Sequence, residues 1–246
     1  MHLKILRKTA LSAGIAICFA AGLAATPTLA QNQSNRGEFP GRRVGGGTRS
    51  DHCEANSQSL VALNPVNNLG ITASNAPTLY FALPNLDRNY VVNFVLEDAS
   101  QEDVANRIVY QTTVEAQKGE RFLSIPLFKN TSVENFENTL VENKNYQWFF
   151  FLVCNPNDIE EDVILSGWLR QVSTEMSIET ITDSLDEQLA QVEAYQASGL
   201  WSDAIAAMVP LYQNNPNESS VRTAWAELLD TLKLQQFVKP IVALDN

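Results

Sequence analysis

Between residues 58 and 172, apolar and polar positions alternate in short runs rich in β-branched and aromatic residues. Pro, Gly, Asn and Asp separate these runs, which is the pattern of strands joined by turns. The runs predict seven strands, at 60–63, 78–83, 90–97, 107–114, 121–125, 146–153 and 163–170. Seven turn-separated strands favour an all-β, Ig-like antiparallel sandwich over residues 51–172.

The strand at 146–153 is apolar on both faces. Trp148 and Phe150 lie on one face, and Phe149 and Phe151 lie on the other. A strand of this kind is typically central in its sheet and covered on both sides. We therefore predict that these aromatic residues belong to the core, with a sugar- or peptide-binding groove as the alternative.

The period changes from two residues to a helical one after a polar linker at 173–184. Leu185, Leu189 and Val192 mark a first helix that ends near Gly199. A second helix is predicted from Trp201 to about residue 212, and a third around residues 221–229. These helices form a small α-helical C-terminal region at 185–235, followed by a tail at 236–246.

The helical region resembles a tetratricopeptide repeat in the spacing of its small and aromatic residues. The matching residues are Tyr195, Gly199, Trp201, Ala204 and Pro216, with Ala226 at the start of a second unit. Such repeats need about three units to be stable. With so few, the region must lean on the β domain, on a second copy or on a partner, and a plain helical hairpin is the alternative. We list Trp201, Tyr212 and Trp225 as possible partner contacts, with internal packing as the favoured alternative for each.

The first thirty residues have the layout of a secretory signal peptide. Lys4, Arg7 and Lys8 precede an uncharged, mostly apolar run at 10–25, and small residues lead up to Ala30. We predict cleavage after Ala30 and a periplasmic or secreted protein. An uncleaved anchor is the alternative, although the run is short beside the roughly 20 residues that a span requires.

The charge balance of the mature chain is strongly acidic. The whole chain has 17 basic and 28 acidic residues, and removal of residues 1–30 takes away three basic ones, which leaves a formal charge of −14. This charge repels phosphate backbones and anionic lipid. We therefore expect neither nucleic acid nor, after signal removal, a membrane as a partner.

Two cysteines remain after the signal segment is removed, Cys53 and Cys154. An even pair in an oxidising compartment predicts one disulfide, with two free thiols as the alternative.

Residues 31–50 form an Arg/Gly-rich leader without apolar periodicity, which predicts flexibility. Its glycines at 45–47 have no strand before them and no Gly-Lys-Ser/Thr after them, so we favour a flexible basic segment over a phosphate-binding loop. Arg42, Arg43 and Arg49 could pair with carboxylates of the acidic domain or of a partner.

Residues with catalytic potential are few. His52 is the single histidine of the mature chain, and it lies in a flexible part of the sequence beside Cys53. Carboxylates are abundant, so a carboxylate-based cell-wall hydrolase is one alternative function. Four acidic residues, Asp158, Glu160, Glu161 and Asp162, could hold calcium, and a calcium- or small-ligand-binding module is another alternative. No catalytic residue, cofactor or metal ligand is predicted.

Residues 40–170 also resemble a cyanobacterial family called domain of unknown function 928. The resemblance rests, in order, on 41–49, Cys53, 60–63, 77–81, 109–113, 146–148, Cys154 and 166–168. The family has no established activity, so the resemblance implies domain limits and a secreted location but no catalytic residues.

Together these features predict an exported, non-catalytic protein-interaction or adaptor protein of the cell envelope. Its expected partner is another envelope or exported protein, and a homodimer is a further option.

Overall fold

Eight strands and four helices form within the residues that the computed structural model describes, which are 39–46, 60–103, 106–129, 139–174 and 184–242. All seven predicted strands and all three predicted helices are present. The strands are β1 (Val61–Ala62), β2 (Leu69–Thr72), β3 (Thr78–Ala82), β4 (Tyr90–Asp98), β5 (Ile108–Ala116), β6 (Phe122–Pro126), β7 (Asn145–Leu152) and β8 (Val163–Gln171). The helices are α1 (Leu185–Ala197), α2 (Trp201–Asn214), α3 (Ser219–Thr231) and α4 (Gln235–Val242).

The strands form two sheets. One has five strands in the order β2-β8-β7-β4-β5, and the other has three in the order β1-β3-β6. Every neighbouring pair is antiparallel except β2 and β8, which run parallel from the pair Leu69 and Trp168 to the pair Thr72 and Gln171. The prediction of β-sheets is confirmed. The prediction of purely antiparallel pairing is wrong, because β2, which the sequence pattern did not predict, runs parallel to β8.

A first hydrophobic core lies between the two sheets. Phe81 of β3 is fully buried, and its ring centroid lies 4.3 Å from that of Phe150 and 5.6 Å from that of Trp148, both on β7. Leu123 and Ile125 of β6 join the same cluster. The inner faces of the two sheets therefore pack directly against each other.

A second core lies on the other face of the three-stranded sheet. Because side chains alternate along a strand, Phe81 faces the first core while Ala82 faces the helices. On β6, Leu123 faces the first core and Phe122 faces the helices. Members of all four helices complete this second core: Val192, Met208, Val221, Trp225, Leu228 and Val238. The protein thus has three layers: the five-stranded sheet, the three-stranded sheet and the helices.

The described part of the leader, residues 39–46, runs along both sheets. Arg42 forms an antiparallel bridge with Ser166 of β8, and Val44 forms one with Val61 of β1. Trp168 packs edge-on against Phe39, and its indole N–H donates to the carbonyl of Pro40 at 2.8 Å. The leader therefore links the five-stranded sheet to the three-stranded one.

The helical layer begins with a tight hairpin. Gly199 has a φ of 72° between α1 and α2, a left-handed conformation that favours glycine. The region predicted as a tail begins within α4, since this helix covers residues 235–242. Most of the predicted linker, at 175–183, lies outside the described residues.

Candidate interaction surface

The outer face of the five-stranded sheet is less buried than the inner face. Along β7, Trp148 and Phe150 point inward and are buried, whereas Phe149 and Phe151 point outward and are only half-buried. The prediction that β7 is central is confirmed. The prediction that both of its faces are covered is wrong, because within the described chain the three-stranded sheet and the helices lie on the same side of it.

Outward-facing apolar residues of three neighbouring strands form a continuous group, which we call the outer patch. Phe149 lies opposite Val95 of β4, and Phe151 lies opposite Ile164 of β8. The two phenyl rings stack with their centroids 6.4 Å apart. At the margins, Val91 is 45% exposed and Ile164 is 41% exposed. The outer patch consists of Val91, Val95, Phe149, Phe151, Val153 and Ile164.

Polar groups border the outer patch on two sides. Beyond β4, the outward side chains of β5 are polar, and the Thr113 hydroxyl donates to the side-chain oxygen of Asn93 at 2.8 Å. Along β8, Phe39 covers Trp168, and Arg170 donates to the Asn145 side-chain oxygen at 2.6 Å. An apolar centre with a polar rim is the usual composition of a protein-binding surface.

The leader arginines that the structure describes, Arg42 and Arg43, make contacts within the protein. The Arg43 guanidinium donates from Nη1 to the carbonyls of Asn64 at 2.9 Å and of Leu232 at 2.6 Å, and burial lowers its pKa. Arg42 pairs with β8 through its backbone, and Arg49 lies outside the described residues. Arg43 therefore connects the leader to the end of α3.

Two roles were considered for Trp225, partner contact and internal packing, and in the structure Trp225 packs internally. It is 3% exposed and packs in the second core, with its ring centroid 5.6 Å from that of Phe122 and 5.1 Å from that of Tyr212. Trp201 and Tyr212 are half-buried against the same cluster. The physical reason is that the three-stranded sheet presents a second apolar face, which the helices cover.

The remaining predicted residues do not form a reactive site within the described segments. Asp158 accepts a hydrogen bond from the Glu160 amide, and Asp162 accepts one from the Cys154 amide. In these segments no group of three or more His, Cys, Asp or Glu side chains is placed to hold a metal ion. Cys154 is 2% exposed, but Cys53 lies outside the described residues, so the disulfide stays a prediction.

A buried carboxylate that the sequence did not single out anchors α2 to β2. Asp203 accepts hydrogen bonds from the Thr72 hydroxyl at 2.8 Å and from the Ala73 amide at 2.7 Å. Burial raises the pKa of Asp203, and these two hydrogen bonds lower it by less. Acidic residues are common in the first turn of a helix, so Asp203 did not stand out in the sequence. Its two donors, Thr72 and Ala73, lie at the end of β2 and are distant from Asp203 in the sequence.

Asp203 makes a testable contribution to the pH dependence of stability. Because its pKa is raised, the folded protein binds this proton more tightly than the unfolded chain does. Its contribution to the free energy of unfolding should therefore fall as the pH rises from the ordinary carboxyl range through the raised pKa. Urea unfolding of the parent protein and of Asp203→Asn at several pH values measures this. We expect the parent's stability relative to the variant to fall over that interval, and a constant or rising difference would contradict the assignment.

No helix of the described chain combines the length and apolarity needed to cross a membrane. The predicted signal peptide, residues 1–30, lies outside the described residues.

Comparison with known proteins gives a family but no activity. No curated protein matches the chain. A family model described as Domain of Unknown Function (DUF928) matches residues 44–241, and this range includes both sheets and almost all of the helical layer. The match extends the resemblance seen at 40–170 through the helices. On this match, the chain belongs to the DUF928 family.

Proposed function

We propose that this protein is an exported, non-catalytic protein of the cell envelope that binds another protein through the outer patch. The observation that carries the proposal is the stacked, half-buried pair of Phe149 and Phe151 at the centre of the larger sheet. This pair lies between the exposed side chains of Val91 and Ile164. Single exposed apolar residues are common on protein surfaces, but a contiguous group marks an interaction site.

The shape of the outer patch favours a protein over a small molecule. Small ligands bind in concave pockets of a few hundred Å³ or more, whereas the outer patch is a sheet face. Elsewhere in the described chain, a cavity of about 10 Å³ between β3 and α2 has room for about one water molecule. Another, about 630 Å³, is a shallow depression on the polar side of α3. Aromatic residues are also enriched in protein interfaces.

Export belongs to the same proposal and rests on the sequence. The basic start, the apolar run and the small residues before Ala30 support a cleaved signal peptide, and hence a periplasmic or secreted location. An oxidising location in turn supports a disulfide between Cys53 and Cys154. We also infer that the sandwich is Ig-like, which the shared core of the two sheets supports. We infer that α1 and α2 are repeat-like, which Gly199 at the turn between them supports.

The proposal can be tested by exchanging one exposed isoleucine of the outer patch. Ile164→Lys places a charge in the patch, while Ile159→Lys makes the same change in a surface turn outside it, where the side chain is 81% exposed. Residues 31–246 of the parent and both variants serve as bait for crosslinked capture from the envelope of the source cell. We expect Ile164→Lys to reduce recovery of the main partner at least ~10-fold, which equals about 1.4 kcal/mol, with Ile159→Lys unchanged.

Thermal unfolding should first show that both variants fold like the parent, as surface substitutions usually change stability by about 0.5 kcal/mol or less. Equal recovery of the partner by Ile164→Lys and Ile159→Lys would refute binding through the outer patch.

A further inference from the structure

The outer edge of β5 is the longest sheet edge in the described part of the chain. β5 has nine residues, whereas the other edge strands have two (β1), four (β2) and five (β6), and the leader bridges β1 through Val44. Natural proteins usually protect long edges with charged side chains, Pro or a bulge. The segment Ile108–Ala116 contains no Pro or Lys, its single charged residue is Glu115, and its one irregularity lies at its start, opposite Leu96 and Glu97. No described strand pairs with β5 on the side away from β4.

The hydrogen bonds of β4 show which β5 groups face this edge. The Val153 amide donates to the Val91 carbonyl at 2.9 Å, so the backbone of Val91 faces β7. Backbone direction alternates along an antiparallel strand, so Val92 faces β5, where it lies opposite Val114. The β5 residues that alternate with Val114 then direct their N–H and C=O groups to the open edge. They are Gln111, Thr113 and Glu115.

We propose that β5 pairs antiparallel with β5 of a second copy, around a twofold axis at Thr113. In this register Thr113 lies opposite the partner's Thr113, and Gln111 lies opposite the partner's Glu115. Three residue pairs then form, and each shares two backbone hydrogen bonds. The pairing joins the two five-stranded sheets into one continuous sheet.

The side chains of β5 suit this self-pairing. Opposed Thr–Thr pairs stabilise antiparallel sheets, whereas like charges directly opposite each other destabilise them. The register places Glu115 against an amide instead of a second carboxylate, which matters for a protein of net negative charge. A shift by one residue would place outward side chains opposite inward ones, so it is excluded. This inference is independent of the proposed function, because the outer patch is complete in one copy.

The matched variants Thr113→Lys and Asn93→Lys test the proposal. Thr113 and Asn93 are opposite each other and share one hydrogen bond, so both variants lose that bond and add the same charge to the same face. In Thr113→Lys alone, two ammonium groups meet across the axis. Sedimentation and light scattering of residues 31–246 over a range of concentrations measure the dimer. We expect a dimer for the parent and Asn93→Lys, and a dissociation constant at least ~10-fold higher for Thr113→Lys.

A crosslink gives a second measurement that does not depend on a repulsive charge. Opposed residues of a hydrogen-bonded pair have Cα atoms about 5.5 Å apart, which is within reach of a short thiol-specific crosslinker, although their Cβ atoms are too far apart for an unstrained disulfide. Thr113→Cys should therefore form a covalent dimer with such a reagent, and Asn93→Cys should not. A monomeric parent at all concentrations, a dimer that Thr113→Lys leaves intact, or a monomer whose β5 edge carries a copurified peptide would each overturn the proposal.

Discussion

Replacing Phe150 with alanine is expected to lower the free energy of unfolding by about 3–5 kcal/mol, the usual cost of removing a buried phenyl ring. The side chain of Phe150 is fully buried, and its ring centroid lies 4.3 Å from that of Phe81 on the opposing sheet. Alanine would leave a cavity between two sheets whose backbones are fixed by hydrogen bonds, so the core cannot close around it. Urea unfolding followed by tryptophan fluorescence measures the change.

The neighbouring residue provides the control for this prediction. Phe151→Ala removes the same ring from the outer patch, where the side chain is half-buried, and should cost about 1–2 kcal/mol. The same variant should still lose partner recovery, because it removes the centre of the proposed binding surface. Equal losses of stability from Phe150→Ala and Phe151→Ala would mean that the outer face is covered as fully as the inner one.

A chain that ends at residue 184 is expected to lose cooperative folding. Its three-stranded sheet would expose Val61, Ala82 and Phe122, which are at most 5% exposed in the full protein. The truncation also removes the Leu232 carbonyl that accepts from Arg43 and the Asp203 carboxylate that holds the end of β2. Calorimetry and near-UV circular dichroism of residues 31–184 should show no sharp transition and little fixed aromatic packing.

A shorter truncation separates this effect from a general sensitivity to shortening. Residues 31–242 keep all four helices and should unfold with the same cooperativity as residues 31–246. A monomeric 31–184 chain with a sharp thermal transition would contradict the three-layer arrangement as the source of stability. It would instead show that the two sheets fold without the helical layer.

Local alternation was enough to predict most of the strands, because it depends only on neighbouring residues. β2 was missed because its sequence, Leu-Gly-Ile-Thr, is short and contains a glycine. The structure explains this glycine, since a Cβ at Gly70 would lie 2.5 Å from the Ser202 hydroxyl oxygen of α2. The need for a glycine here comes from a tertiary contact with Ser202, which is far away in the sequence, so local patterns could not predict it.

The candidate site was harder to predict than the strands, because periodicity does not say which apolar face finds a covering layer. β3 and β7 both carry apolar residues on both faces. The second face of β3, with Tyr80 and Ala82, is covered by helices, whereas Phe149 and Phe151 of β7 are only half-buried. Helical cover therefore buries Trp225, whereas Phe149 and Phe151, which were predicted as core, stay half-buried in the described chain.

The contacts of the leader also affect when the protein can fold. Arg42 bonds to a residue 124 positions away, and Arg43 bonds to one 189 positions away. Contacts so distant in sequence make folding slow, and a chain that emerges from the ribosome N-terminus first cannot complete them until α3 has been synthesised. The complete fold therefore forms only when nearly the whole chain is available, which suits the export that we propose for this protein.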